Sequence, residues 1–210
     1  VAVPAPKSRR IVVEVAGLGS SSETAAIARL DTEGLGYSET DVIRFSYAGG
    51  RVPSASSEML AAGLDELPET TYTSADTQVD MNDSAQRLAE LVAEVARMMP
   101  GVPIDVIAHS QGGVVARLAL HRLAETDALP GTVENLVTLG SPHEGSDVAT
   151  AVASARVGPL GDTALDGIRA VTGLDLDPDS PSIAQLSEVS ELTNAMAEVR
   201  LPSTVRFTSI

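Results

Sequence analysis

The segment Ile104-Asp-Val-Ile-Ala-His-Ser-Gln-Gly-Gly-Val-Val-Ala-Arg117 passes from a strand-like apolar run through Ser110 into a helix-like one, with small residues at Ala108, Gly112 and Gly113. A serine on a sharp strand-to-helix turn is held in a strained backbone conformation, and side chains two positions before and after it collide unless they are small. Such a turn lifts the hydroxyl clear of the sheet. The free N–H groups at the start of the following helix then face any anion that forms there. The chemistry this predicts is nucleophilic attack by Ser110, with the N–H of Gln111 as an oxyanion donor. The plainer reading is a serine in an ordinary strand-to-helix turn, since G-x-S-x-G is short and its first glycine is here Ala108.

Two further segments belong with it. Val15-Ala-Gly-Leu-Gly-Ser-Ser-Ser22 follows an apolar run, and its glycines let the chain turn back over a strand tip, which aims the N–H of Leu18 at a carbonyl oxygen attacked by Ser110. A plain glycine-rich turn or a phosphate loop are the alternatives. The phosphate loop is the weaker, because Gly-Leu-Gly lacks the Lys-Ser/Thr ending and the third spaced glycine. The other segment is Val137-Thr-Leu-Gly-Ser-Pro-His-Glu-Gly-Ser146, at the tip of the next strand-like run.

Taken together, Ala108-His-Ser-Gln-Gly112, Val15-Ala-Gly-Leu-Gly19 and Thr138-Leu-Gly-Ser-Pro-His-Glu-Gly145 resemble the α/β-hydrolase lipases and esterases. Their nearest likeness is to the bacterial triacylglycerol-lipase and GPI-inositol-deacylase-like branch. The resemblance extends from Ile11 to Ile210 and includes Pro181-Ser-Ile-Ala-Gln-Leu-Ser-Glu-Val-Ser190. It implies Ser110 as nucleophile and the N–H groups of Leu18 and Gln111 as the oxyanion hole, with Gly17, His109, Gly112 and His143 supporting the site loops. This chain departs from the family at Ala16-Gly17, where His-Gly is common, and so lacks a side chain that usually braces the first loop.

A serine hydroxyl needs a general base within hydrogen-bond reach and a carboxylate to orient that base. Three histidines are present. His109 adjoins Ser110 in sequence and points elsewhere at such a turn, so it reads as a packing residue. His121 lies roughly 15 Å along the same helix at 1.5 Å per residue, too far to take the proton. His143 reads as a loop brace in similar lipases and is the weaker candidate for the base. In the superfamily the acid and then the histidine follow later strands, which places both beyond Ile210. Asp147 is a second candidate acid, although a loop carboxylate or helix cap is its plainer reading. Asp175, Asp177 and Asp179 resemble a calcium loop in composition but lack its glycine and closing glutamate. Asp76 and Asp80 read as surface charge.

The elements that must position these residues are legible as apolar runs at Ile11 to Val15, Val42 to Tyr47, Ile104 to Ala108 and Leu136 to Leu139, with a fifth at Thr204 to Ile210. Mostly non-alternating runs suit strands buried on both faces of a parallel sheet. The clearest helix opens on Asp83 with Gln86 three residues on, buries Ala85, Leu88, Leu91, Val92, Val95 and Met99, and stops at Pro100-Gly101. Strand alternating with helix predicts right-handed crossovers and one α/β domain over 1–210, a three-layer α/β-hydrolase sandwich with a mainly parallel central sheet. The C-terminal strand and helix of that fold are then expected beyond Ile210. Residues 51–80 and 149–182 read as cover or lid-like insertions over one sheet edge, with Met59, Leu60, Leu64, Leu160, Leu165 and Ile168 shaping an apolar acyl pocket.

Composition closes several alternatives. The 210 residues carry 14 basic and 29 acidic side chains, a formal charge of −15, and the sequence pI is near 4.4. That charge opposes binding to a phosphate backbone, and five aromatic residues without tryptophan offer no stacking platform, so nucleic acid is not an expected partner. Cysteine is absent, which removes disulfides and thiolate metal sites. No run approaches the length of a membrane span. The chain opens at Val1 without a leader pattern, so any signal peptide lies outside it, and its acidity suits a soluble protein with a lean toward secretion.

The leading function is hydrolysis of carboxylic esters through an acyl-enzyme on Ser110, with a small ester or lipid as substrate and no metal or organic cofactor required. An acyltransferase passing the same acyl group to an alcohol is one alternative. A non-catalytic binding module on the same fold is the other.

Overall fold

Runs rich in Val and Ile favour extended backbone and fill a sheet covered on both sides, and here they pair side by side in parallel. The computed structural model describes residues 9–54, 60, 61, 63–155 and 176–210. Within them, β1 (Ile11–Val15), β2 (Val42–Arg44), β3 (Ile104–His109), β4 (Val133–Leu139) and β5 (Arg206–Ser209) form a five-stranded sheet in the order β2-β1-β3-β4-β5. Every pairing is parallel. The fold is an α/β fold, with flanking helices joining the strands.

Six α-helices lie among the described residues: α1 (Thr32–Leu35), α2 (Met81–Met98), α3 (Gln111–Glu125), α4 (Asp147–Ala155), α5 (Pro181–Leu186) and α6 (Glu191–Met196). Helix α2 buries the expected stripe of Ala85, Leu88, Leu91, Val92 and Val95, and packs on α3, which in turn lies against β1, β3 and β4. The start of α2 differs from expectation. Asp80 rather than Asp83 is its cap, accepting from the N–H of Asn82 at 2.7 Å, because two aspartates three residues apart offer the same local signal. Asp80 also accepts from Gln185 Nε2, so it is a tie to α5 and not bare surface charge. Asp76, the third residue of a 3-10 turn over Ser74–Gln78, likewise accepts from the N–H of Thr73, the cap of that turn.

The strand-like run at 42–47 is a strand only to Arg44. Phe45 then bridges to Arg51 as the chain turns at Gly49-Gly50. β4 begins earlier than its apolar run, at Val133, and alternates partly, whereas all four residues of β5 are exposed. Leu60 and Leu64, expected to line an acyl pocket, belong instead to the main core with Leu67 and Tyr72. Met59, Leu160, Leu165, Ile168 and Asp175 lie outside the described residues.

One buried polar group of the sheet is fully paired. Asp105 on β3 accepts from Arg10, from the Tyr37 hydroxyl at 2.8 Å and from Asn135 on β4. Burial alone would raise this carboxyl, but the three donors outweigh it and hold Asp105 below the usual carboxylate range.

Candidate active site

β3 ends at His109, and Ser110 adopts φ 54° and ψ −132° before α3 opens at Gln111. Among the described residues only Ser110 and Asp127 have positive φ without being glycine. A left-sided φ on a residue with a side chain costs of order 1–3 kcal/mol and persists only where the surroundings enforce it. The enforcement is visible. The N–H of Ser110 donates to the carbonyl of Leu139 on β4 at 2.9 Å, and its carbonyl accepts from the N–H of Gly113 at 2.9 Å.

The small residues follow from contact. A β-carbon on Gly112 would collide with the carbonyls of Ala16 and Val15, and one on Gly113 would meet Ser141 Oγ and the β-carbon of Thr138. Ala108 is fully buried in the β1–β3 ladder opposite Val15. Thus the start of α3 presses directly on the loop that leaves β1.

That loop, Ala16 to Ser20, is held at each turn. The Tyr47 hydroxyl donates to the Ala16 carbonyl at 2.6 Å, Ser20 Oγ donates to the Gly17 carbonyl at 2.6 Å, and the Gly19 N–H donates to Thr77 Oγ1 at 2.8 Å. Gly19 has φ 73°, a conformation that favours glycine. Between these anchors the N–H of Leu18 has no hydrogen-bond partner among the described residues, and neither has the N–H of Gln111. The Leu18 side chain packs against Val152 of α4, Leu176 and Ile183 of α5. Gly17 stands against Ser110 and His109.

The Ser110 hydroxyl has no hydrogen-bond partner among the described residues, and two of the three histidines are bonded elsewhere. His109 lies with Nδ1 against Gly17. His121 Nδ1 donates to the Arg200 carbonyl at 2.8 Å, and its Nε2 faces Glu125. His143 Nε2 shares a hydrogen bond of 3.0 Å with Thr138 Oγ1 of β4, while its Nδ1 is buried without a partner. Burial, with Arg117 nearby, pushes His143 down to about 4. Its ring packs edge-on against Phe207 of β5.

The candidate acids are also placed. Asp147 is the exposed first residue of α4, and Asp177 Oδ1 accepts from the N–H of Asp179 in a local turn. Sequence reasoning missed Tyr47, Ser20 and Thr77, the residues that hold the first loop. The only usable signal was Tyr47 at the end of an apolar run.

The family described as "Domain of unknown function (DUF7379)" matches residues 76–205, from the 3-10 turn beside the loop to the threshold of β5. No curated protein sequence matches the chain. Among solved structures, it is similar to the mature lipase BlEst2 of Bacillus licheniformis, at 19% identity and a TM-score of 0.58 over 100% of this chain and 68% of that one. It is similar to the metagenomic carboxyl esterase MGS0156, at 18% identity and 0.54, over 100% of this chain and 51% of that one. Phospholipase PlaB of Legionella pneumophila matches at 15% identity and 0.59, over 95% of this chain and 38% of that one. The chain therefore spans about two thirds of the first of these proteins, about half of the second and less than half of the third. At such identities the shared feature is the fold.

Proposed function

The chain belongs to the DUF7379 family, and from that premise we propose that it is the nucleophile-bearing part of a serine hydrolase of carboxylic esters. The observation that carries the reading is the pairing of Ser110, strained at φ 54°, with two backbone N–H groups, of Leu18 and Gln111, that have no partner among the described residues. Unpaired donors beside a strained serine suit an anion that exists only during reaction. The fold shared with a lipase, an esterase and a phospholipase supports the same class. The motif likeness to bacterial triacylglycerol lipases points to an acyl ester or lipid as substrate.

In this reading Ser110 Oγ attacks the ester carbonyl and gives its proton to a base. The carbonyl oxygen, now an anion, accepts from the N–H groups of Leu18 and Gln111. Collapse expels the alcohol, which takes the proton, and water then releases the acid by the same route in reverse. With His121 and His143 bonded elsewhere, the reading places the catalytic histidine and its orienting carboxylate beyond Ile210. His143 acts as a brace between β4 and the following loop.

The test is fluorophosphonate labelling of the natural polypeptide that contains this chain, with peptide mapping of the labelled residue. Label on Ser110, and loss of ester hydrolysis in a folded Ser110→Ala variant, is the expected result. Hydrolysis that survives Ser110→Ala overturns the reading.

A further inference from the structure

We propose that Thr77 is the positioning residue that sets the spacing between the two oxyanion donors. The proposal rests on the ester-hydrolase reading and extends it to a residue remote in sequence. Thr77 is fully buried in the 3-10 turn Ser74–Gln78, and it touches both donor segments at once. Its Oγ1 accepts from the N–H of Gly19 at 2.8 Å, one residue after Leu18. Its carbonyl accepts from Gln111 Nε2 at 2.8 Å, on the residue that carries the second donor.

Chemistry fixes both contacts. A carbonyl can only accept, so the Gln111 amide has one orientation, with Nε2 toward Thr77 and Oε1 buried without a partner. Thr77 Oγ1 donates to the Ser74 carbonyl at 2.6 Å, which commits its proton and leaves a lone pair for Gly19. One rigid residue therefore spans the loop after β1 and the first residue of α3. Ala16-Gly17 offers no side chain for this purpose, and the Thr77 bridge performs it from the far side of the loop.

Displacing a donor by a fraction of an ångström weakens capture of the developing anion while leaving ground-state contacts largely intact. The effect therefore falls on kcat. Thr77→Val keeps the shape but removes Oγ1, and Thr77→Ser keeps Oγ1. Gln111→Met removes Nε2 from the other arm at similar length.

The experiment measures kcat and KM for p-nitrophenyl butyrate with the natural polypeptide, its Thr77→Val, Thr77→Ser, Gln111→Met and Thr77→Val/Gln111→Met variants, and Ser110→Ala as control, with circular dichroism and melting on each. Thr77→Val is expected to lower kcat about 10- to 100-fold with KM changed less than about threefold. Thr77→Ser is expected to stay within about threefold of the parent, and the double variant to lose less than the product of the single losses. If Thr77→Val does not fold, Gln111→Met against the parent decides the same point. An unchanged kcat in the folded variants, or an equal loss in Thr77→Val and Thr77→Ser, overturns the role of Thr77 alone. No hydrolysis by the parent, or hydrolysis that survives Ser110→Ala, overturns the ester-hydrolase reading and Thr77 with it.

Discussion

Gly17 and Ser110 are in direct contact: a β-carbon on Gly17 would lie 2.8 Å from the β-carbon of Ser110 and 3.2 Å from His109 Nδ1. The backbone of Gly17 is not left-handed, so the demand for glycine there is one of space. Gly17→Ala forces the first loop and the serine turn apart, and misplacement of this size in a reacting site costs about 100-fold. We expect the rate of fluorophosphonate labelling at Ser110 to fall by about tenfold or more, with melting lowered by the overpacking cost of about 1–3 kcal/mol. Labelling at the parent rate in a folded Gly17→Ala protein would contradict the contact.

Gly112 and Gly131 make a matched pair for stability. A methyl at Gly112 runs into the carbonyls of Ala16 and Val15, backbone that cannot swing aside, whereas one at Gly131 meets nothing within 4 Å. Gly112→Ala is therefore expected to lower stability by about 1–3 kcal/mol. Gly131→Ala is expected to be neutral or to raise it by about 0.4–1 kcal/mol, through the stiffer unfolded chain. Chemical denaturation of the two variants checks the order, and equal effects would refute it.

What the sequence made legible is what local rules govern. The turn at Ser110 announces itself because its small residues lie within three positions of it, and the strand before and helix after it share the same segment. The Thr77 bridge leaves no such trace. Its partner Gly19 is 58 residues away and Gln111 is 34 away, so only the folded chain brings them together. The same reason explains Leu64, polar in its neighbourhood yet in the core. Asp83, with Gln86 three residues on, reads locally as the cap, whereas Asp80 is the cap and is also bonded by Gln185, 105 residues on.

His143 is expected to titrate near 4, because burial disfavours its charged form and Arg117 opposes it further. The sign follows from the depressed value: the ring is neutral in the fold, and its contribution to stability is complete above about 6.5 and lost as pH falls toward 4. Proton NMR of the imidazole through that range checks the midpoint. A midpoint at the ordinary 6.5 would show that Nδ1 is not buried, and would reopen His143 as a base for Ser110.

Glu14 carries the opposite sign. It lies on β1 directly opposite Arg44 of β2, is 3% exposed, and has no hydrogen-bond partner among the described residues, while Arg44 donates instead to the Pro53 carbonyl. Burial pushes its carboxyl up to about 7, against the pull of Arg44. A raised carboxyl binds its proton more tightly in the fold than in the unfolded chain. The resulting stability is complete below about 4.5 and lost as pH rises through 7. The difference is worth about 3 kcal/mol at one pH unit per 1.36 kcal/mol. Glu14→Gln keeps the shape of the protonated acid and cannot ionise. Relative to the parent, it is expected to gain about 3 kcal/mol between pH 4.5 and pH 8.5 in urea denaturation. A parent and variant whose stabilities run parallel across that interval would show that Glu14 ionises freely, and that Arg44 compensates its charge within the sheet.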